Sequence, residues 1–153
     1  MRPLEGKSAV VTGAGTGIGQ GIAEAMAEAG AQVCVCYHNS ETGARRTAQR
    51  ITDAGGTCVV ARADVSVPAE TESLMRTAAE AFGGIDILVN NAAYQPNRRL
   101  EGYTPELFDR VFHTNFGGYL FCMRAALPHM KRRGGGRVVN ISSIHAKRPA
   151  EFD

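Results

Sequence analysis

Along the chain, short continuous apolar runs alternate with stretches in which apolar residues return every three or four positions. Ala9-Val10-Val11 is such a run, the pattern of a parallel strand buried on both faces. Comparable runs predict strands at 8–12, 32–37, 57–62, 85–90 and 136–141. Helical spacing fills the intervals at 18–29, 41–54, 67–82 and 105–133. In the first helix Ile18, Ile22, Ala23, Met26 and Ala27 share a stripe; in the third, Leu74, Ala78 and Phe82 do. The boundaries carry their own signals. Ser66 ahead of Pro68, and Thr104 ahead of Pro105, read as cap-then-proline helix starts. Gly30, Gly55-Gly56, Gly83-Gly84 and Gly134-Gly135-Gly136 read as helix stops. Strict alternation of strand and helix predicts an α/β fold: a three-layer, doubly wound parallel sheet with right-handed crossovers. The expected strand order is 3-2-1-4-5, which puts a ligand crevice where the order reverses, between strands 1 and 4. No repeat, low-complexity stretch or linker divides the chain, so residues 1–153 are expected to form one domain.

Residues 8–19 read SAVVTGAGTGIG, a strand that runs into glycines at 13, 15, 17 and 19 and then into a helix. Glycine lets the chain turn tightly and lets backbone N–H groups approach an anion with no Cβ between them. The helix N-terminus adds about half a positive charge there, so the segment is a cradle suited to a pyrophosphate. The strict G-x-G-x-x-G spacing is not met, because Ile18 and Gln20 stand where its last glycine belongs. The spacing is instead Gly13-x-x-x-Gly17-x-Gly19, preceded by Thr12.

Composition narrows the partners. Of 153 residues, 44% are hydrophobic and 21% charged, ordinary for a globular chain. A formal net charge of +2 is too small to argue for nucleic acid or an anionic membrane surface. The N-terminal MRPLEGK lacks the apolar core of a signal peptide, and no run approaches the roughly 18 apolar residues of a membrane span. A cytoplasmic protein is the expectation. Cys34, Cys36, Cys58 and Cys122 match no metal-ligand or CxxC spacing and are expected as small buried hydrophobes, with no metal site. The basic Lys131-Arg132-Arg133 cluster is expected to offset the dipole at a helix C-terminus.

The crevice draws attention to what ends each strand. Strand 3 ends in Ala63-Asp64-Val65, strand 4 in Asn90-Asn91-Ala92-Ala93, and strand 5 in Asn140-Ile141-Ser142-Ser143. Asn115, inside the long fourth helix, would pass beside the same edge. With these residues in place, the chain resembles the short-chain dehydrogenase/reductase family over its whole length. TGAGTGIG at 12–19 is similar to that family's T-G-x-x-x-G-x-G; ADV at 63–65, NNAA at 90–93, Asn115 and VNISS at 139–143 follow its other motifs in order. NNAA departs from the commoner NNAG.

The resemblance implies a Rossmann-type fold and a role for each matched residue. Thr12, Gly13, Gly15, Gly17, Ile18 and Gly19 would form the cofactor turn. Asp64 and Val65 would contact adenine, and Asn90 and Ala92 would line the cofactor floor and steady the central strand. Asn115 would help organise a proton-relaying water chain, and Ser143, rather than its neighbour Ser142, would hydrogen-bond the substrate carbonyl or hydroxyl. The end of strand 2 bears on the choice of cofactor. An acid about 20 residues past the glycines ordinarily binds the ribose 2′-OH of NAD, but Tyr37 stands there. With no carboxylate to repel it, a 2′-phosphate could accept from His38, Asn39 or Ser40, so NADP is expected, with NAD possible. No basic residue in the glycine turn supports the choice.

The family's proton donor is a tyrosine in Tyr-x-x-x-Lys, beyond the serine. The tyrosines here are Tyr37, Tyr94, Tyr103 and Tyr119, and four residues on stand Glu41, Arg98, Leu107 and Met123; Lys147 follows Ser143 at that interval. Absence of a positioned acid/base group typically costs about 10²–10⁴-fold in rate. The chain, which ends at Asp153, is therefore expected to be C-terminally truncated relative to the family, lacking its last strands and helices, and of low or no activity as a fragment. Strand 5 would then be an exposed, aggregation-prone edge. Homo-oligomers are expected of a full-length form but not of this chain, which would lack the helix that the family's dimers pair with residues 105–133.

Three readings follow. The first is an NAD(P)-dependent oxidoreductase moving hydride between nicotinamide and an alcohol or ketone carbon of a small molecule. VNISSIHAKRP is similar to the serine region of glucose dehydrogenases, and 3-oxoacyl-type reductases are the other subclass considered. The second is a dinucleotide-binding module without catalysis, which has no need of Asn115 or Ser143. The third, an S-adenosylmethionine-dependent methyltransferase, wants an acid where Tyr37 stands and leaves NNAA unexplained.

Overall fold

The computed structural model describes residues 2–143; Lys147 and the rest of the IHAKRP segment lie outside the described residues. Five parallel strands, β1 (Ser8–Val11), β2 (Gln32–Tyr37), β3 (Thr57–Arg62), β4 (Ile87–Asn90) and β5 (Arg137–Asn140), form one sheet in the order β3-β2-β1-β4-β5. Helices α1 (Gly17–Glu28), α2 (Glu41–Asp53), α3 (Pro68–Phe82), α4 (Pro105–Phe112) and α5 (Gly118–Arg132) connect and cover it. No helix among the described residues is long and apolar enough to cross a membrane.

The two-residue period of the strands divides their side chains between two cores. Ala9, Val11, Val33, Val35, Ile87 and Val89 pack with Ala23 and Ala27 of α1 and Ala44 and Ile51 of α2. Val10, Cys34, Cys36 and Leu88 point to the other face, against Leu74, Met75 and Ala78 of α3 and Cys122, Ala126 and Met130 of α5. Because both faces are covered, the strands read as unbroken apolar runs. All four cysteines are free: Cys34, Cys36 and Cys122 are buried and Cys58 half-buried. Burial pushes the Cys36 and Cys122 thiols up to about 12, so they stay protonated and pack as apolar groups.

Three expectations are corrected. The helix over 105–133 is not continuous, because a wide π-helical turn, His113–Gly117, separates α4 from α5. Ser66 does not cap α3. The cap position is Val67, with no side-chain hydrogen bond, and the Ser66 hydroxyl instead donates to Asp64 Oδ1 at 2.6 Å. Of the basic cluster, only Lys131 and Arg132 lie in the last turn of α5. Arg133 reaches back to the sheet and donates to Asp86 Oδ2 at 3.0 Å. Thr104, by contrast, caps α4 as expected, accepting from Leu107 N at 3.3 Å.

Asp86 knits the amino end of the sheet. Its Oδ2 also accepts from Ser8 N at 3.0 Å and Ser8 Oγ at 3.2 Å, and Lys7 lies 3.6 Å from Oδ1. Burial acts to raise this carboxyl, but the Arg133 and Ser8 bonds outweigh it and hold it below the ordinary carboxylate range.

Candidate functional site

At the opposite, carboxyl edge a cavity of about 420 Å³ opens between the turn after β1 and the chain leaving β4. This is the expected switch point of the sheet. Gly13 and Gly17 hold φ of +65° and +56°, conformations that a side chain disfavours. A Cβ at Gly13 would stand 2.9 Å from Ala92 Cα, whereas one at Gly17 would enter open space. The α1 N-terminus behind Gly17 has no side-chain cap and no acid in its first turn. Its N–H groups therefore carry the positive end of the helix toward the cavity, with no acid in their own turn to offset it.

Of the residues expected to bind the cofactor, Gly13, Gly17, Ile18, Gly19, His38, Asp64, Val65 and Ala92 line the cavity. Thr12, Gly15 and Asn90 do not, and each has a structural task. Thr12 is 1% exposed; its Oγ1 accepts from Asn91 N and Ala92 N, both at 3.0 Å, and donates to Val89 O at 3.4 Å. It therefore ties the glycine turn to the chain leaving β4. Gly15 meets α2, where a Cβ would lie 2.9 Å from Ser40 O. Asn90, wholly buried, donates from Nδ2 to Asn140 Oδ1 at 2.8 Å and to Tyr119 O at 3.4 Å, joining β4 to β5 and α5.

Asn115 sits in the π-helical turn. Its Oδ1 accepts from Tyr94 N at 2.7 Å and its Nδ2 donates to Tyr94 O at 3.0 Å. One side-chain amide thus satisfies both backbone groups of a residue on the cavity wall. The extra residue of a π turn is a known way of aiming a side chain out of helical register. Ser142 and Ser143 lie exposed on the chain leaving β5, at the same edge of the sheet.

Sequence reasoning missed several wall residues: Thr16, Asn91, Tyr94, Arg110 and Thr114. Asn91 donates from Nδ2 to Thr12 O at 2.9 Å and Gly13 O at 3.3 Å, fixing the turn from below. Its place inside NNAA was the available signal. Arg110 of α4 lies over the Tyr94 ring, 4.2 Å from its centroid, and nothing in the spacing of α4 singled it out.

At the mouth, His38 Nε2 is 3.6 Å from Asp64 Oδ2. Burial acts to raise the Asp64 carboxyl, but hydrogen bonds from Ser66 outweigh it. With His38 and Arg110 nearby, they hold the carboxyl below its ordinary range, so Asp64 is an anion at neutral pH. Among the described residues no cluster of His, Cys, Asp and Glu could hold a metal ion. The arrangement offers one end built for phosphate and another with an acceptor and an imidazole.

A sequence model described as short chain dehydrogenase matches residues 7–152. The chain belongs to the short-chain dehydrogenase family. Its relatives include an uncharacterized oxidoreductase of Methylorubrum extorquens, 42% identical over 144 residues, with 94% of this chain and 57% of that protein covered. Versicolorin reductase 1 of Aspergillus parasiticus is 43% identical over 140 residues, with coverages of 92% and 53%. A solved short-chain dehydrogenase from Burkholderia cenocepacia, in complex with NADP, superposes with a TM-score of 0.90. It is 33% identical, over 98% of this chain and 60% of that one. The chain thus spans a little over half the length of these family members, 53–60%.

Proposed function

We propose that the crevice binds a nicotinamide dinucleotide, NADP in preference to NAD, and that it serves oxidoreduction of an alcohol or ketone carbon in a small molecule. The observation that carries this reading is the uncapped α1 N-terminus, which faces the cavity across Gly17. A pyrophosphate fits there, because the donors are unused and no Cβ intervenes. Gly13, Gly17, Ile18 and Gly19 would hold the pyrophosphate, and Asp64, Val65 and Ala92 the adenosine side. Thr12, Gly15 and Asn90 would act through the backbone they position. His38, with no carboxylate ending β2 beside it, favours a 2′-phosphate. That the Burkholderia cenocepacia protein is in complex with NADP supports the same preference.

When bound, the dinucleotide supplies the hydride donor or acceptor at nicotinamide C4. Asn115 would keep the wall at Tyr94 in place beside a proton-relaying water, and Ser143 would hold the substrate oxygen. None of the four tyrosines is followed four residues later by lysine, so residues 1–153 by themselves are proposed to bind the cofactor without ordinary turnover. A row of exposed aromatics along α4 and the π turn, Phe108 (59%), Phe112 (49%) and Phe116 (61%), supports pairing of this helix with a second copy. The rings of Phe112 and Phe116 stack with centroids 5.0 Å apart.

Fluorescence titration of the purified 153-residue chain tests the reading. NADPH is expected to bind more tightly than NADH, with no reduction of small ketones above background. Equal or tighter NADH binding removes the NADP preference, and binding of neither removes the dinucleotide reading.

A further inference from the structure

We propose that His38 and Asp64 form a proton-linked selector at the mouth of the crevice, with protonated His38 passing from the Asp64 carboxylate to a 2′-phosphate when that group is present. The inference rests on the dinucleotide reading above and adds to it a regulation by pH.

The geometry begins in the sheet. β2 and β3 pair in parallel as far as Tyr37↔Arg62, and Ala63 N donates to Tyr37 O at 2.8 Å. Residues 38 and 64 therefore leave adjacent strands at one edge, and both line the cavity. Their nearest side-chain atoms are 3.6 Å apart, with the two side chains 38% and 28% exposed. The two groups differ in freedom. Asp64 Oδ1 accepts from Ser66 N at 2.9 Å and Ser66 Oγ at 2.6 Å, so the carboxylate is anchored and Oδ2 is the oxygen turned to His38. No comparable tie holds the His38 ring. The imidazole is the partner that moves.

The surrounding charges leave this pair to itself. Glu70 of α3 is occupied by Asp64 N at 2.7 Å and lies 3.9 Å from Arg62. Glu41 of α2 is taken by Arg45 at 2.7 Å. Arg110 of α4 rests on Tyr94 and adds positive charge near Asp64. Tyr37 ends β2 with no charge at neutral pH, and the first turn of α1 carries no acid. Asp64 is thus the anion that faces His38.

A ribose 2′-hydroxyl offers His38 no charge, so the imidazole stays with Asp64. A dianionic 2′-phosphate in the same mouth competes with the singly charged carboxylate and favours imidazolium more strongly. Binding then takes up as much as one proton from solvent wherever His38 was neutral. The sign follows. The phosphate gains from a charged imidazole, so its advantage is greatest where imidazolium prevails. It is lost as rising pH removes that proton. One proton of uptake corresponds to at most about tenfold in affinity per pH unit.

The test is calorimetric titration of the 153-residue chain with adenosine 2′,5′-bisphosphate and with 5′-AMP, from about pH 5.5 to about pH 8.5, the imidazole range. His38→Gln is titrated in parallel as the reference that lacks the imidazole, because a phosphate monoester itself titrates at about pH 6. For the bisphosphate, wild type is expected to bind about tenfold more tightly than His38→Gln at the acid end, the two converging at the alkaline end. For 5′-AMP the ratio stays near one throughout. His38→Arg, which keeps the charge, is expected to bind the bisphosphate at every pH as wild type does at the acid end. In NMR spectra the His38 ring signal, assigned by its loss in His38→Gln, is expected to titrate at higher pH with the bisphosphate than with 5′-AMP. If both nucleotides bind but the wild-type to His38→Gln ratio is flat with pH, the selector is wrong and the dinucleotide reading stands. If neither binds, that reading falls and the selector with it.

Discussion

Replacing Thr12 with valine separates the two tasks that a residue of the glycine turn can have. The hydroxyl accepts from Asn91 N and Ala92 N at 3.0 Å each and donates to Val89 O at 3.4 Å, while the side chain is 1% exposed. Valine keeps the shape and removes the acceptor. The Val89 carbonyl retains Thr12 N at 3.0 Å, so the loss falls on the two N–H donors. A buried donor left without a partner costs about 1–3 kcal/mol. Asn91 and Ala92 are half-buried and water reaches them in part, so the pair together is expected to lose about 2–3 kcal/mol. For a chain of this size that lowers Tm by about 4–12 °C. Thr12→Ser keeps the hydroxyl and gives up one methyl, about 1 kcal/mol. Thermal and urea unfolding followed by circular dichroism measure the stability, and NADPH titration well below the melting range measures the site. If Thr12→Val melts within about 2 °C of wild type yet loses more than about tenfold in NADPH affinity, Thr12 is a nucleotide ligand and the clamp is wrong.

Gly17→Ala should cost about 1–2 kcal/mol through its φ of +56°, and it should also weaken NADPH binding more than about tenfold because residue 17 lines the cavity at the α1 N-terminus. Gly6→Ala, at φ +73° with open space around it, is the control: the same strain with unchanged affinity, and equal losses in the two variants would remove the cradle. Asp86 is held below the ordinary carboxylate range in the folded chain, so its contribution is complete above the unfolded pKa of about 3.9 and disappears as pH falls through the lower folded value. Urea midpoints of wild type and Asp86→Asn should therefore differ at neutral pH and converge on acidification, and a gap constant with pH contradicts this. Asn115→Ala should leave Tyr94 N without its acceptor and speed hydrogen exchange at that amide. Unchanged protection there would show that the wall does not depend on Asn115.

Much of this protein is legible along the chain. Continuous apolar runs, three- to four-residue spacing between them, and glycine or proline at the joints are local signals. They were enough for five parallel strands in the order β3-β2-β1-β4-β5, because crossover handedness leaves few other topologies. The residues that end the strands were legible for the same reason: Gly13, Gly17, Asp64, Val65 and Ala92 reach the crevice simply by leaving the sheet at one edge. What a side chain does there was not. Thr12 and Ala92 meet across 80 positions, and Asn90 and Asn140 across 50. Those bonds depend on the register of β1 against β4 and of β4 against β5, which no local pattern encodes. The break at His113–Gly117 is of the same kind, since its Asn115 answers to Tyr94 outside the helix and not to its own spacing. His38 likewise acquires its partner only when β2 and β3 align, which brings an imidazole and a carboxylate 26 residues apart in sequence to 3.6 Å. Local periodicity decides which segments pair, but the atoms that touch are set by how those segments slide into register.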